Sequence, residues 1–124
     1  MGSQIIRTER GWAGHFCAAH LCLFRRNTLL QYKDINVVVS SVGLMRDSRD
    51  TNVDSFLQIG GNRYYETMVF HAEWSGRYWD ADVSRQIYFE NNWQIAEIDA
   101  DDRANDMHES IVCEIMDNMK NGKY

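Results

Sequence analysis

Four zinc-ligating residue types crowd into one short stretch: His15, Cys17, His20 and Cys22, spaced H-x-C-x2-H-x-C. Structural zinc sites usually draw two ligand pairs from separate parts of a chain. Here the backbone would have to fold sharply on itself with no proline or glycine inside the run. In one extended strand, His15 and Cys17 would face away from His20 and Cys22. Buried thiols and a hydrogen-bonded histidine pair are the simpler expectation, with no metal and no cofactor. His71-Ala72-Glu73 copies half of a zinc-deaminase signature, but no P-C-x-x-C follows. His71 is therefore expected as a strand residue facing its neighbours across a sheet. His108-Glu109 has no second histidine at Val112, so it is not a metalloprotease helix. Gly60-Gly61-Asn62 lacks the Lys-Ser/Thr of a phosphate loop, and nothing local marks a cysteine as an activated nucleophile. The chain is expected to bind rather than to catalyse.

The arginines carry more information. They outnumber lysines ten to three, and a guanidinium grips phosphate or carboxylate through two bonds and stacks on aromatic rings. In Phe24-Arg25-Arg26-Asn27, adjacent guanidiniums at the start of a strand repel each other unless an anion sits between them. Phe24 would supply a stacking face and Asn27 an amide to read a base or ribose edge. Arg77, Trp79 and Asp80 offer a cation, a plane and an acceptor for sugar hydroxyls. Arg103 lies near a helix start, where backbone N–H groups favour anions. Each has a plainer alternative: pairing of Arg25 and Arg26 with the acidic second half, an ordinary aromatic strand at Trp79, and a helix-surface ion pair at Arg103.

Strands are expected to carry most of these groups. Thr28–Tyr32 and the β-branched run Asn36–Val42 read as a hairpin around Lys33-Asp34. Residues 46–54 form a polar loop, and Phe56–Ile59 a short strand before the Gly60-Gly61-Asn62 turn. Tyr64–Glu73 alternates, with Tyr65, Thr67, Val69 and His71 on one side. A turn at 74–76 leads to a return strand, Arg77–Val83, and two short strands, 86–89 and 93–96, flank Asn91-Asn92. From Asp102 the stripe Ala104, Met107, Ile111, Ile115, Met119 predicts a helix, opened by Asp99, Asp101 and Asp102 and stopped by Asn121-Gly122. The predicted architecture is a single α+β domain over residues 1–124: an antiparallel sheet with one long C-terminal amphipathic helix packed on it, and an irregular segment near 12–24.

Composition bounds the function. A length of 124 residues fits one domain with a real core. No apolar stretch approaches the ~18 residues of a membrane span, and the N-terminus lacks a signal core, so a cytoplasmic location without membrane association is expected. The net charge of −5 argues against general nucleic-acid binding. Charge is uneven, +4 over residues 1–49 and −9 over 50–124, a pattern that aligns copies head to tail or leaves a basic pocket in an acidic body.

Three stretches carry a resemblance: Glu9–Leu30 (ERGWAGHFCAAHLCLFRRNTLL), Tyr64–Asp82 (YYETMVFHAEWSGRYWDAD) and Ala104–Ile115 (ANDMHESIVCEI). They resemble small proteins of bacteriophages and prophages of gut bacteria. In size, composition and α+β layout the chain is similar to the first-described Thoeris anti-defence family. That resemblance implies a phage-encoded protein acting in the host cytoplasm. It would sequester cyclic ADP-ribose isomers without cleaving them, as a homo-oligomer with ligand at protomer junctions. The alternative expectation is an anti-CRISPR-type inhibitor that binds a host defence complex through an acidic face.

Overall fold

The computed structural model describes residues 4–10, 21–46, 56–59, 63–87 and 93–124, with the backbone alone at Trp93 and Gln94. They form one antiparallel sheet and one helix, the α+β layout expected from the sequence. The strands are β1 (Ile6–Glu9), β2 (Cys22–Tyr32), β3 (Ile35–Arg46), β4 (Phe56–Leu57), β5 (Tyr65–Trp74), β6 (Trp79–Gln86) and β7 (Trp93–Ile95). The main path runs β1-β2-β3-β5-β6, with β4 paired to β3 and β7 to β5.

The central strand, β3, explains its own sequence. It lies between β2 and β5 and is buried without a break from Val37 to Leu44. Both its faces are covered, so its apolar run is continuous rather than alternating. Its partners sort the side chains. One face looks toward the helix α1 (Asp101–Lys120) and carries Phe24, Leu30, Val37, Val39, Tyr65 and Val69 against Ala104, Ile111, Val112, Ile115 and Met119. The far face carries Leu29, Val38 and Ala72, with Trp79 and Ala81 packed on them. Leu44 adopts a left-handed backbone, φ 54, and turns into the helix-side core. The next residue, Met45, consequently joins Cys22, Val42 and Ile59 in a separate cluster.

The helix start is held by β5 rather than by its own sequence. Ala100 supplies no side-chain cap. Instead the Tyr65 hydroxyl accepts the Ala100 N–H at 3.2 Å and donates to Asp101 at 2.5 Å. One otherwise orphaned helical donor is thereby satisfied. The Tyr65 ring closes on Gly43, where any Cβ would clash with its edge, and meets Phe24 edge-on at 5.5 Å.

Several boundaries differ from the sequence expectation. β2 begins six residues before Thr28, at Cys22, and β3 runs on to Arg46. The return strand starts at Trp79 and not at Arg77, because residues 75–78 make the turn: the Ser75 hydroxyl donates to the Tyr78 carbonyl at 2.9 Å, and Gly76 has φ 97. That strand extends to Gln86 and takes in the first residue of the strand expected at 86–89. Residues 88–92, with the Asn91-Asn92 turn, lie outside the described residues, as do the 60–62 turn and all of the 46–54 loop except Arg46. On the helix, Met107 is only half-buried, while His108 is wholly buried in its place.

Candidate functional site

The early start of β2 decides the fate of the two arginines. Arg25 and Arg26 sit mid-strand, paired to Val42 and Ser41, and successive strand residues point to opposite faces. They therefore do not converge on one anion, which corrects the expectation of a shared cradle. Phe24 is buried in the helix-side core against Tyr65 and offers no free stacking face. Arg26 lies at the rim of that core, bound to Glu9 at 3.1 Å and Glu109 at 2.8 Å. Arg25 is half-buried on the far face and makes no side-chain hydrogen bond or ion pair among the described residues.

Asn27 and Trp79 are brought together on the far face, by a residue the sequence reading did not single out. The buried Arg10 takes the Asn27 carbonyl oxygen with Nε at 3.0 Å and Nη2 at 2.9 Å, and donates Nη1 to the Trp79 backbone carbonyl. Burial lowers the Arg10 pKa, and the nearby charge of Asp80 works against that shift. The side-chain oxygen of Asn27 is thus occupied by the chain itself. Arg77 is exposed in the β5–β6 turn, Asp80 is exposed, and Arg103 pairs with Glu97 at 3.5 Å on the surface. Of the four zinc-ligating residue types in the 15–22 run, which were expected to hold no metal, His15, Cys17 and His20 lie outside the described residues. Cys22 is buried among Val42 and Ile59, where burial pushes its thiol up to about 11.

Two histidines then define the two polar regions. His108 is 0% exposed and has hydroxyls on both sides: Nε2 to Thr28 at 2.8 Å, and Nδ1 to Ser41 at 2.7 Å. Ser41 in turn touches the Thr67 hydroxyl, and Thr28 donates to Glu9 at 2.9 Å. A single proton order satisfies every link: Thr67 to Ser41, Ser41 to Nδ1, Nε2–H to Thr28, Thr28 to the carboxylate. Above it, Arg7 and Arg26 each bridge Glu9 and Glu109, closing a four-membered ring of alternating charge. Hydrogen bonds from Arg7 lead in holding Glu109 down near 2. Burial, aided by the Arg26 charge, drives His108 down to about 4. The seam resembles a catalytic relay in its residue types. Ser41 and Thr67 are 0% exposed, however, so no substrate reaches either hydroxyl.

The second region is open. At the hairpin end of the sheet a cavity of about 280 Å³ is lined by Asp34, Ile35, Asn36, His71, Ala72, Arg85 and Tyr124. A bulge makes it. Pairing runs from Ala72↔Ala81 to Phe70↔Gln86, so β5 has only His71 where β6 has Asp82 to Arg85. Ser84 stabilises the bulge by donating its N–H and hydroxyl to Asp82, at 3.1 and 2.5 Å. Such bulges re-aim side chains. Here the bulge places Arg85 by His71 at the cavity. Tyr124 meets His71 edge-on at 6.1 Å and is held by the Asn118 amide at 2.9 Å. Burial, reinforced by the Arg85 charge, lowers the His71 pKa, and Asp82 opposes the shift. Neither ring nitrogen of His71 has a hydrogen-bond partner among the described residues, and Arg85 has no ion pair there.

Sequence reasoning placed His71 on a strand but overlooked Arg85 and Tyr124. The register shift that assembles them leaves no periodic trace. Among the described residues no cluster of His, Cys, Asp and Glu is placed to hold a metal ion, and no helix is long and apolar enough to cross a membrane. No protein-family model, curated protein or solved structure matches the chain.

Proposed function

We propose that the protein is a binding module for a small anion bearing a flat ring, the chemistry of a nucleotide, which it holds without turning it over. One observation carries this reading: the bulge-built cavity sets the Arg85 guanidinium, without an ion pair among the described residues, beside the His71 ring, the Tyr124 ring and the Asn36 amide. Arginine supplies a two-pronged grip on phosphate and the rings supply an apolar wall; the Asn36 amide, which accepts from the Gln31 amide at 3.0 Å and donates to the Asp34 carbonyl at 3.4 Å, keeps one N–H and one lone pair for a base edge. At about 280 Å³ the space sits near the small end of ligand pockets. A mononucleotide is the proposed occupant, and a cyclic ADP-ribose isomer would place one half inside. This relocates the anion site from Arg25 and Arg26, which the fold separates, to Arg85. The sponge reading drawn from the phage-family resemblance is retained as the biological form of the proposal.

Calorimetry tests it, with 3′,5′-cyclic AMP, AMP and cyclic ADP-ribose isomers as probes. Saturable heat that disappears in Arg85→Ala, with ligand recovered intact by mass spectrometry, supports the proposal. Absence of heat across the set rejects it.

A second reading is favoured by the outer face of α1. Asp102, Asp106 and Asp117 are exposed there, continuing exposed Glu97, Asp99 and Asp101. An acidic face of this kind suits an inhibitor that competes with nucleic acid for a defence complex. Stoichiometric capture of one host protein, lost when these aspartates are changed to asparagine, would favour it over the small-molecule reading.

A further inference from the structure

We infer that the cavity between β5 and the β6 bulge takes up its anion together with a proton on His71. This rests on the binding reading above and specifies how that site is regulated. His71 and Arg85 line the same cavity, and both ring nitrogens of His71 lack a protein partner among the described residues. In the empty cavity two positive groups would face each other, so a neutral imidazole is favoured, in keeping with its lowered pKa. An anion seated against Arg85 reverses the balance. It neutralises the guanidinium and gives the imidazolium an acceptor, and each added charge-assisted bond favours the protonated ring.

The surrounding groups leave His71 as the titrating member. On β6 it faces Asp82 and Arg85, from the hairpin turn Asp34 lines the same space, and from the C-terminal segment Tyr124 meets its ring. Behind Tyr124 lies Glu114 of α1. Its β3 partner, Val37, is apolar. Carboxyl, guanidinium and phenol groups ordinarily titrate outside the neutral range, whereas imidazole titrates within it. Linkage is reciprocal: a ligand that raises proton affinity at His71 must itself bind more tightly as protons become available. Affinity therefore rises as pH falls through the window between the free and bound states of His71. The limit is about tenfold per pH unit for one proton.

The probe is 3′,5′-cyclic AMP, whose phosphodiester does not titrate in this range. Titration calorimetry at pH 5.5, 6.5, 7.5 and 8.5, in buffers of different ionisation enthalpy, counts protons directly. The expected result is a net uptake of up to about one proton. It comes with several-fold tighter binding at pH 5.5 than at pH 7.5, and both effects vanish in His71→Gln. Binding with no proton uptake, or uptake that persists in His71→Gln, overturns the inference while the binding reading stands. Absence of heat at every pH with cyclic AMP, AMP and the cyclic ADP-ribose isomers alike overturns both.

Discussion

His108, on the helix, and His71, on the sheet, occupy opposite situations in the same small fold. His108 projects from the helix onto the sheet with a hydroxyl on each nitrogen, beneath a closed ring of two arginines and two glutamates. His71 lies at the bulged end with neither nitrogen bonded among the described residues and an arginine beside it. Burial lowers both pKa values, so titration behaviour by itself does not separate structure from function. Satisfaction does. A buried polar group whose partners are all internal stabilises a packing arrangement, whereas a polar group left open beside an unpaired cation can receive something from outside.

The comparison breaks most severely at His108. His108→Ala removes both ring bonds and opens a cavity between α1 and the sheet, and should cost about 4 kcal/mol. Urea unfolding will show whether the midpoint falls accordingly. If His108→Ala unfolds like wild type, the seam does not hold the helix to the sheet.

Acid should expose the same residue next. An unfolded histidine titrates near 6.5, while His108 in the fold is held near 4. Between those values the unfolded chain binds a proton that the folded chain refuses, so falling pH favours unfolding. The stability concerned is present above pH 6.5, is lost progressively on acidification and is gone by pH 4. It amounts to roughly 3 kcal/mol. Glu109, held near 2 by Arg7 and Arg26, contributes in a separate window, lost only as pH falls from the ordinary carboxylate range toward 2. Denaturation midpoints at half-unit pH steps should slope in wild type and in His71→Ala, but flatten between pH 6.5 and 4 in a folded His108→Gln.

A smaller effect is expected at Tyr65, which joins β5 to the helix start. Tyr65→Phe keeps the ring against Gly43 and the edge contact with Phe24, but loses the bonds to Asp101 and the Ala100 N–H. A loss of about 1.5 kcal/mol in thermal or urea unfolding is expected. The smallest change in stability belongs to the open region: Arg85→Ala and His71→Ala should each shift it by less than about 0.5 kcal/mol. Calorimetry on the same variants should find Arg85→Ala unable to bind cyclic AMP. A large loss of stability in either would place the cavity among the structural elements.

How far the sequence could be read follows the same division. The β-branched run at Val37–Val39 and the 3-and-4 spacing of Ala104, Ile111, Ile115 and Met119 are local patterns, and they marked β3 and α1 correctly. Even the buried His108 was in phase, four residues after Ala104 and three before Ile111, but an amphipathic stripe assigns a face and not a hydrogen-bond partner. The arginine pair misled because its geometry depended on where β2 begins. Started at Thr28, the strand leaves Arg25 and Arg26 free to converge; started at Cys22, alternation forces them apart. The cavity was illegible for a further reason. Arg85 joins His71 and Tyr124 only because pairing between β5 and β6 slips, and a slip is a property of two strands that neither sequence states alone.

The most direct test is ¹⁵N-detected imidazole NMR of the histidines during a titration with 3′,5′-cyclic AMP, with His71 and His108 assigned from single variants. The account predicts that the His71 ring nitrogens shift and gain proton character as ligand is added, while His108 keeps its neutral, doubly bonded signature throughout. A titration that moves His108 and leaves His71 untouched, or moves neither, would contradict it.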